Sequence, residues 1–134
     1  MKIVAAPNAF KGSLAATEAA GAMAEGIAQV LPEAEVVQVP VADGGDGLVD
    51  VAVEALHGER RVLKVTGPRN RKVEAAYCYV KSMDLVTVEM ALASGLALLP
   101  DELQDPTLTT TYGTGELIRA GLDLGAKRID VGIG

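Results

Sequence analysis

Cysteine and aromatic residues are scarce in this sequence. It has no tryptophan, one phenylalanine and three tyrosines, so a core has to be built from alanine, valine, leucine and isoleucine. Cys78 is the only cysteine, which excludes an intrachain disulfide and any metal site made of several thiolates. No apolar run approaches the roughly 18 residues that span a bilayer, and the first residues lack a signal-peptide pattern. We therefore expect a cytoplasmic protein without a membrane segment.

Basic residues are fewer than acidic ones. Twelve lysines and arginines stand against 18 aspartates and glutamates, which gives a net charge of −6. Proteins that bind nucleic acid through its phosphates are usually basic, so this balance argues against a nucleic-acid partner. The hydrophobic share of 49% is typical of a globular fold, and 134 residues are enough for a sizeable core.

Residues 1–58 show a pattern of two strands alternating with two helices. Residues 2–6 predict a short buried strand, and apolar residues at helical spacing then extend from Ser13, a candidate N-cap, to Pro32. Residues 35–41 are almost continuously apolar, which indicates a strand buried on both faces, and residues 48–56 suit a helix packed on it. In such a βαβ unit the loops after both strands lie at one edge of the sheet.

Residues 43–47, Asp-Gly-Gly-Asp-Gly, are here called the acidic glycine loop. Ligands of open α/β sheets bind beyond the carboxyl ends of the strands, and glycines allow the backbone to approach them closely. Asp43 and Asp46 could hold Mg²⁺ or accept a proton from a hydroxyl, which predicts a catalytic or metal-binding loop. Alternatively, Asp46 is only the N-cap of the next helix and Asp43 a turn residue. Lys11, after the first strand, is either a phosphate partner at the same edge or a solvated lysine.

The second half opens with a predicted antiparallel hairpin over residues 60–80. It alternates about a turn at residues 66–70 and carries six of the twelve basic residues. These charges suit a nucleotide or nucleic acid, or else protect an edge strand from aggregation. Residues 85–90 predict a further apolar strand in which Glu89 is unusual. This carboxylate is either a buried functional group or a cap of the following segment.

A second glycine-rich stretch, residues 109–115, precedes a predicted helix that ends at Gly125. Glycines and hydroxyls at a helix N-terminus form a typical anion site, because the first backbone N–H groups are free there. The stretch lacks the Gly-Lys-Ser or Gly-Lys-Thr of a Walker A loop, and Ile118 replaces the third glycine of a dinucleotide fingerprint. A well-capped helix without a ligand is the alternative. Residues 128–133 predict a last strand, whose exposed edge could recruit a second copy of the chain.

Five segments match one known family in order and spacing. They are residues 4–14, 39–47, 65–68, 89–96 and 109–118. Together they resemble the bacterial glycerate kinases of the ATP-dependent, 2-phosphoglycerate-forming type. Members usually carry an aspartate where this chain has Asn8 and a glutamate where it has Asp46, and they are much longer.

The resemblance implies an α/β fold of two domains on either side of a cleft. Residues 1–58 would be the first part of a Rossmann-like domain, and residues 59–134 the first part of a second, inserted α/β domain with the hairpin. The chain would then be truncated relative to the family, an N-terminal portion of it. The implied reaction is phosphoryl transfer from ATP, with Mg²⁺, to D-glycerate; the alternative is a non-catalytic fragment that binds an anion or nucleotide.

The resemblance also implies a set of site residues. The expected catalytic residues are Lys11, Asp43 and Asp46, and both aspartates are expected metal ligands. The expected substrate or phosphate ligands are Asn8, Ser13, Gly44, Gly45, Glu89, Thr111, Gly113, Thr114 and Gly115.

Overall fold

The computed structural model describes residues 1–134, which divide into two compact units. Unit 1 is Met1–Asp43 and unit 2 is Gly44–Gly134. Both contain strands and helices, and unit 2 contains antiparallel strand pairs, so the predicted α/β class with an antiparallel hairpin is confirmed. No helix is long and apolar enough to span a membrane.

Unit 1 is a single βαβ unit. Strand β1 (Lys2–Ala5) leads to helix α1 (Ala16–Val30) and then to strand β2 (Glu35–Gln38). The two strands pair in parallel, in a register that sets Lys2 opposite Glu35 and Ala5 opposite Gln38. The predicted parallel arrangement of these strands is confirmed.

Helix α1 begins without a side-chain cap from Ser13. Its N-cap residue is Ala15, whose backbone N–H donates to Glu18 Oε2 at 2.9 Å. The prediction that Ser13 caps this helix is wrong, because Phe10–Leu14 folds into a tight turn. Phe10 and Leu14 exchange backbone hydrogen bonds of 2.8 and 3.0 Å there. A carboxylate in the first turn is also favourable for the helix dipole.

The strands of unit 1 are less buried than their sequence predicts. Val4 of β1 is 57% exposed and no residue of β2 is fully buried, while Val39 and Val41, just beyond β2, are 41% and 40% exposed. The expectation of a strand buried on both faces is therefore wrong for this chain. The physical reason is that unit 1 has one helix to cover a sheet with two faces.

Unit 2 is a four-stranded mixed sheet with helices. Its strands follow the order β3-β4-β5-β6; β4 is antiparallel to β3 and β5, and β6 is parallel to β5. Short 3₁₀ turns follow β4 and α3. The strands are β3 (Glu59–Thr66), β4 (Lys72–Val80), β5 (Leu85–Glu89) and β6 (Arg128–Gly132), and the helices are α2 (Leu48–Leu56), α3 (Met90–Ser94) and α4 (Tyr112–Asp123).

Helix α2 belongs to unit 2 by its packing. Val49 and Ala52 lie in one core with Cys78, Val80 and Leu85 of strands β4 and β5. The unit boundary between residues 43 and 44 thus differs from the domain boundary predicted after residue 58. Alternate residues of the same strands point to a second core on the opposite face, which includes Val65, Tyr77, Val86, Val88 and Leu117. Because both faces are covered, every residue of β5 is buried.

The hairpin and its charges are as the pattern indicates. Strands β3 and β4 pair with Arg61 opposite Tyr77, and the turn closes with the Gly67 N–H donating to the Arg71 carbonyl at 2.7 Å. Several of its basic groups make ion pairs with acidic neighbours. These pairs are Arg60 with Asp50, Arg61 with Glu59 and Lys72 with Glu116.

Candidate functional site

Within unit 1, the two strands send their loops to the same edge. Because β1 and β2 are parallel, Lys11 and Asp43 lie in loops that leave the carboxyl ends of neighbouring strands. The chain segments continue side by side beyond the strands, since the Val41 N–H donates to the Pro7 carbonyl at 3.0 Å. This is the sheet edge at which ligands of parallel α/β sheets bind.

The loop after β1 presents its polar side chains to the surface. Lys11 and Ser13 are exposed on the Phe10–Leu14 turn, where Gly12 takes a φ of 72°. Asn8 is also exposed, and its Oδ1 accepts the backbone N–H of Ala9 at 2.7 Å. A side-chain amide used in this way shapes the loop rather than taking up a proton.

Within unit 2, residues 44–47 form the rest of the acidic glycine loop. Gly44 and Gly47 have φ angles of 99° and 87°, a backbone conformation that favours glycine. Gly47 is the N-cap residue of α2, so the alternative in which Asp46 caps this helix is wrong. Asp46 is exposed on the loop instead.

Glu89 provides the cap that α2 lacks. Its side chain is 2% exposed, and its Oε1 and Oε2 accept the backbone N–H groups of Gly47 and Val49 at 3.1 and 3.0 Å. Burial raises the pKa of this carboxyl group, the two backbone hydrogen bonds oppose the rise, and the nearby Asp46 and Asp50 carboxylates add to it. The idea that Glu89 caps the segment after it is wrong, because it makes no cap hydrogen bond to α3.

The carboxyl end of β6 supports the same loop from another side. The Gly134 N–H donates to the Gly44 carbonyl at 3.0 Å. A Cβ at Gly132 would overlap that carbonyl oxygen and the end of the Leu48 side chain. Sequence reasoning missed this role of Gly132 and Gly134, although two glycines at the end of an apolar strand are a signal of close backbone approach.

The second glycine-rich stretch, residues 109–115, contains both buried and exposed residues. Gly113 and Thr114 are buried, and Thr114 Oγ1 lies 2.8 Å from Ser94 Oγ. A Cβ at Gly113 would overlap the carbonyl oxygen of Thr66. Thr111, the N-cap residue of α4, and Gly115 are exposed. That these residues bind phosphate stays a prediction.

The carboxylates of the acidic glycine loop are the expected ligands of Mg²⁺. The structure forms no cluster of three or more histidine, cysteine, aspartate or glutamate side chains that could hold a metal ion. Mg²⁺ in phosphoryl-transfer sites is commonly held by one or two carboxylates, with phosphate oxygens and water completing the shell. Asp43 in unit 1 and Asp46 in unit 2 each offer carboxylate oxygens of the kind that this mode of binding uses.

Comparison with known proteins gives one consistent family. Residues 3–134 match the model of the glycerate kinase family. The glycerate 2-kinase of Escherichia coli is 47% identical over 134 residues, which is 100% of this chain and 35% of that protein. The glycerate kinase of Halalkalibacterium halodurans is 47% identical over 132 residues, which is 98% of this chain and 35% of the relative.

A solved structure agrees. The crystal structure of a protein assigned as glycerate kinase 2 from Salmonella typhimurium LT2 has a TM-score of 0.84 and 45% identity, covering 100% of this chain and 36% of that chain. The mixed α/β fold, its ligand-edge loops and these matches define a member of a kinase family. The chain belongs to the glycerate kinase family. It spans about 35% of the length of the curated relatives it matches.

Proposed function

We propose that this chain is an N-terminal portion of a glycerate kinase that transfers a phosphoryl group from ATP to D-glycerate and forms 2-phosphoglycerate. The observation that carries the proposal is the family match over residues 3–134, together with relatives named glycerate kinase at 47% identity. Because the chain spans about a third of those relatives, we expect little or no activity from these residues alone.

The chemistry assigns a role to each loop. Phosphoryl transfer depends on positioning the reactants and on neutralising phosphate charge. Lys11, exposed after β1, would bind a phosphate group through its ammonium. Asp43 and Asp46 would hold Mg²⁺, which when bound supplies further positive charge to the phosphates. Asn8 cannot act as a base, so its amide would orient a substrate oxygen by a hydrogen bond.

The proposal includes the setting of the reaction. ATP as the donor, glycerate as a small-molecule partner and a cytoplasmic location belong to it, and neither nucleic acid nor a membrane takes part. Self-association belongs to it as well. Strand β6 is an edge of its sheet, and Val131 and Ile133 at its end are 38% and 70% exposed, which suits a second copy of the chain.

The test uses a longer polypeptide in which residues 1–134 replace the matched part of the Escherichia coli relative, here called the extended chimera. ADP release is measured with D-glycerate and, as a control, with 3-hydroxypropanoate, which lacks the 2-hydroxyl that the proposed reaction phosphorylates. We expect D-glycerate-dependent turnover, and ³¹P NMR should identify the 2-phosphate. A folded chimera that releases no ADP with D-glycerate would contradict the proposal.

A non-catalytic role is the second candidate, and the short span relative to the family favours it for these residues alone. Residues 1–134 would then bind a nucleotide or another anion without turnover. Titration calorimetry of the 134-residue chain with ATP and Mg²⁺ tests this directly. Binding together with an inactive extended chimera would favour the binding fragment over the kinase.

A further inference from the structure

We propose that Glu89 is a positioning residue, which fixes the acidic glycine loop at the carboxyl end of β5 and thereby sets the position of Asp46. The inference rests on the proposed kinase function, because the position of Asp46 matters to that reaction. It gives Glu89 an indirect role in place of the direct substrate contact that the family resemblance implies.

The contacts of Glu89 leave no oxygen facing solvent. One oxygen accepts the N–H of Gly47 and the other accepts the N–H of Val49, across 42 and 40 residues of sequence. The side chain is 2% exposed. Gly47 is the covalent neighbour of Asp46, so a hydrogen bond that holds the Gly47 N–H also restricts the peptide that carries Asp46.

A carboxylate suits this position better than an amide does. Helix α2 has no side-chain cap of its own, because its N-cap residue is the glycine Gly47, which carries no acceptor group. A carboxylate has two acceptor oxygens and can satisfy two N–H donors, whereas glutamine would turn an NH₂ group toward one of them. The N-terminal end of the helix dipole further favours a negative charge, which offsets part of the cost of burying it.

The loop is anchored at both ends, and Asp46 lies between the anchors. Glu89 holds Gly47 at the end of β5, while Gly134 donates to the Gly44 carbonyl beyond the end of β6. Asp46 itself is exposed. Removing Glu89 would free one end of the loop without touching the Asp46 side chain.

The kinetic test is a double-mutant cycle in the extended chimera with Glu89→Gln, Asp46→Asn and the double variant. Glu89→Gln should lower kcat by about 10- to 100-fold and weaken the apparent affinity for Mg²⁺, as loss of a group that orients a metal ligand usually does. The KM for D-glycerate should stay within about 2-fold, because no substrate contact is lost. The double variant should be no slower than Asp46→Asn alone, since both changes act through one group. Glu54→Gln, on the exposed face of the same helix, is the matched control and should change nothing.

The structural test does not depend on activity. Hydrogen exchange followed by mass spectrometry should show faster exchange over residues 44–50 in Glu89→Gln and not in Glu54→Gln, with helix α4 as the internal reference. An inactive chimera would count against the proposed function, while exchange would still decide whether Glu89 fixes the loop. Unchanged exchange overturns the inference. The inference is also overturned if Glu89→Gln raises the KM for D-glycerate and its effect on rate multiplies with that of Asp46→Asn in the double variant. Glu89 would then be a substrate ligand. A lower melting temperature with unchanged kcat also overturns it, because Glu89 would then be a cap alone.

Discussion

Replacing Gly113 with alanine would place a methyl group against the backbone of β3. The new Cβ would overlap the carbonyl oxygen of Thr66 and lie 3.2 Å from Cγ2 of Val65. A backbone carbonyl in a paired strand cannot turn aside as the tip of a long side chain can. Gly115, two residues further along the same helix, has no atom within 4 Å of the position that its Cβ would take. The two substitutions therefore add the same group to one helix in opposite surroundings.

The two variants should change stability with opposite signs. Overpacking of this kind costs about 1–3 kcal/mol. The gain from replacing a helical glycine with alanine is at most about 1 kcal/mol. Gly113→Ala should therefore lower the free energy of unfolding of unit 2, by up to about 2 kcal/mol when the full helical gain is subtracted from the largest overpacking cost. Gly115→Ala should raise it by about 0.5–1 kcal/mol.

Urea unfolding followed by tyrosine fluorescence measures both effects in unit 2. All three tyrosines, Tyr77, Tyr79 and Tyr112, belong to that unit, and the chain has no tryptophan to mask them. The midpoints of the two variants should move to opposite sides of the wild-type midpoint at an unchanged slope. If Gly113→Ala unfolds at the same urea concentration as the wild type or as Gly115→Ala, the packing argument for Gly113 is refuted.

Three further outcomes are expected. In the extended chimera, Asp43→Asn should lower Mg²⁺-dependent ADP release far more than it lowers stability, read as the melting temperature, because the neutral isostere keeps the shape; normal turnover would reduce Asp43 to a turn residue. Gly132→Ala should destabilise unit 2 by about 1–3 kcal/mol in urea unfolding and speed exchange over residues 44–47, because its methyl group meets the Gly44 carbonyl; a wild-type midpoint would contradict the close approach. Burial raises the pKa of Glu89 in the folded state, so the folded protein binds this proton more tightly than the unfolded one. Its contribution to stability is therefore greatest below the ordinary glutamate pKa and is lost as pH rises through the raised value. The stability of wild type relative to Glu89→Gln, from urea unfolding at a series of pH values, should fall over that window; a rise would refute the sign.

The features that the sequence predicts well depend on neighbouring residues. The hairpin follows from alternation about a turn, and its register pairs Val65 with Val73. Gly125 was predicted to end α4, and it takes a φ of 82° while the Ala126 N–H donates to the Gly121 carbonyl. Such signals lie within a few residues of the structure they specify.

The features that the sequence could not predict depend on distant partners. The donors to Glu89 lie 40 and 42 residues away, so its sequence neighbours left open a buried functional carboxylate or a cap of the following segment and gave no sign of α2 as its partner. The close approach of Gly113 to the Thr66 carbonyl joins two residues that are 47 positions apart, so the sequence around Gly113 gives no sign of it. The apolar run in β2 indicates burial, but what covers a strand is decided by elements elsewhere in the fold. The predicted roles of Lys11 and Asp43 still await their tests.

The buried thiol of Cys78 offers a way to measure how often the core beneath α2 opens. Its thiol, the only one in the chain, is 0% exposed in the core that Val49 and Ala52 of α2 close from one side. Burial also raises the pKa of the thiol, which suppresses the reactive thiolate. A thiol reagent can therefore modify the folded protein only during moments when this core opens. The labelling rate would therefore report how frequently this core opens. Any opening that lifts α2 from the sheet must also break the hydrogen bond between the Val49 N–H and Glu89.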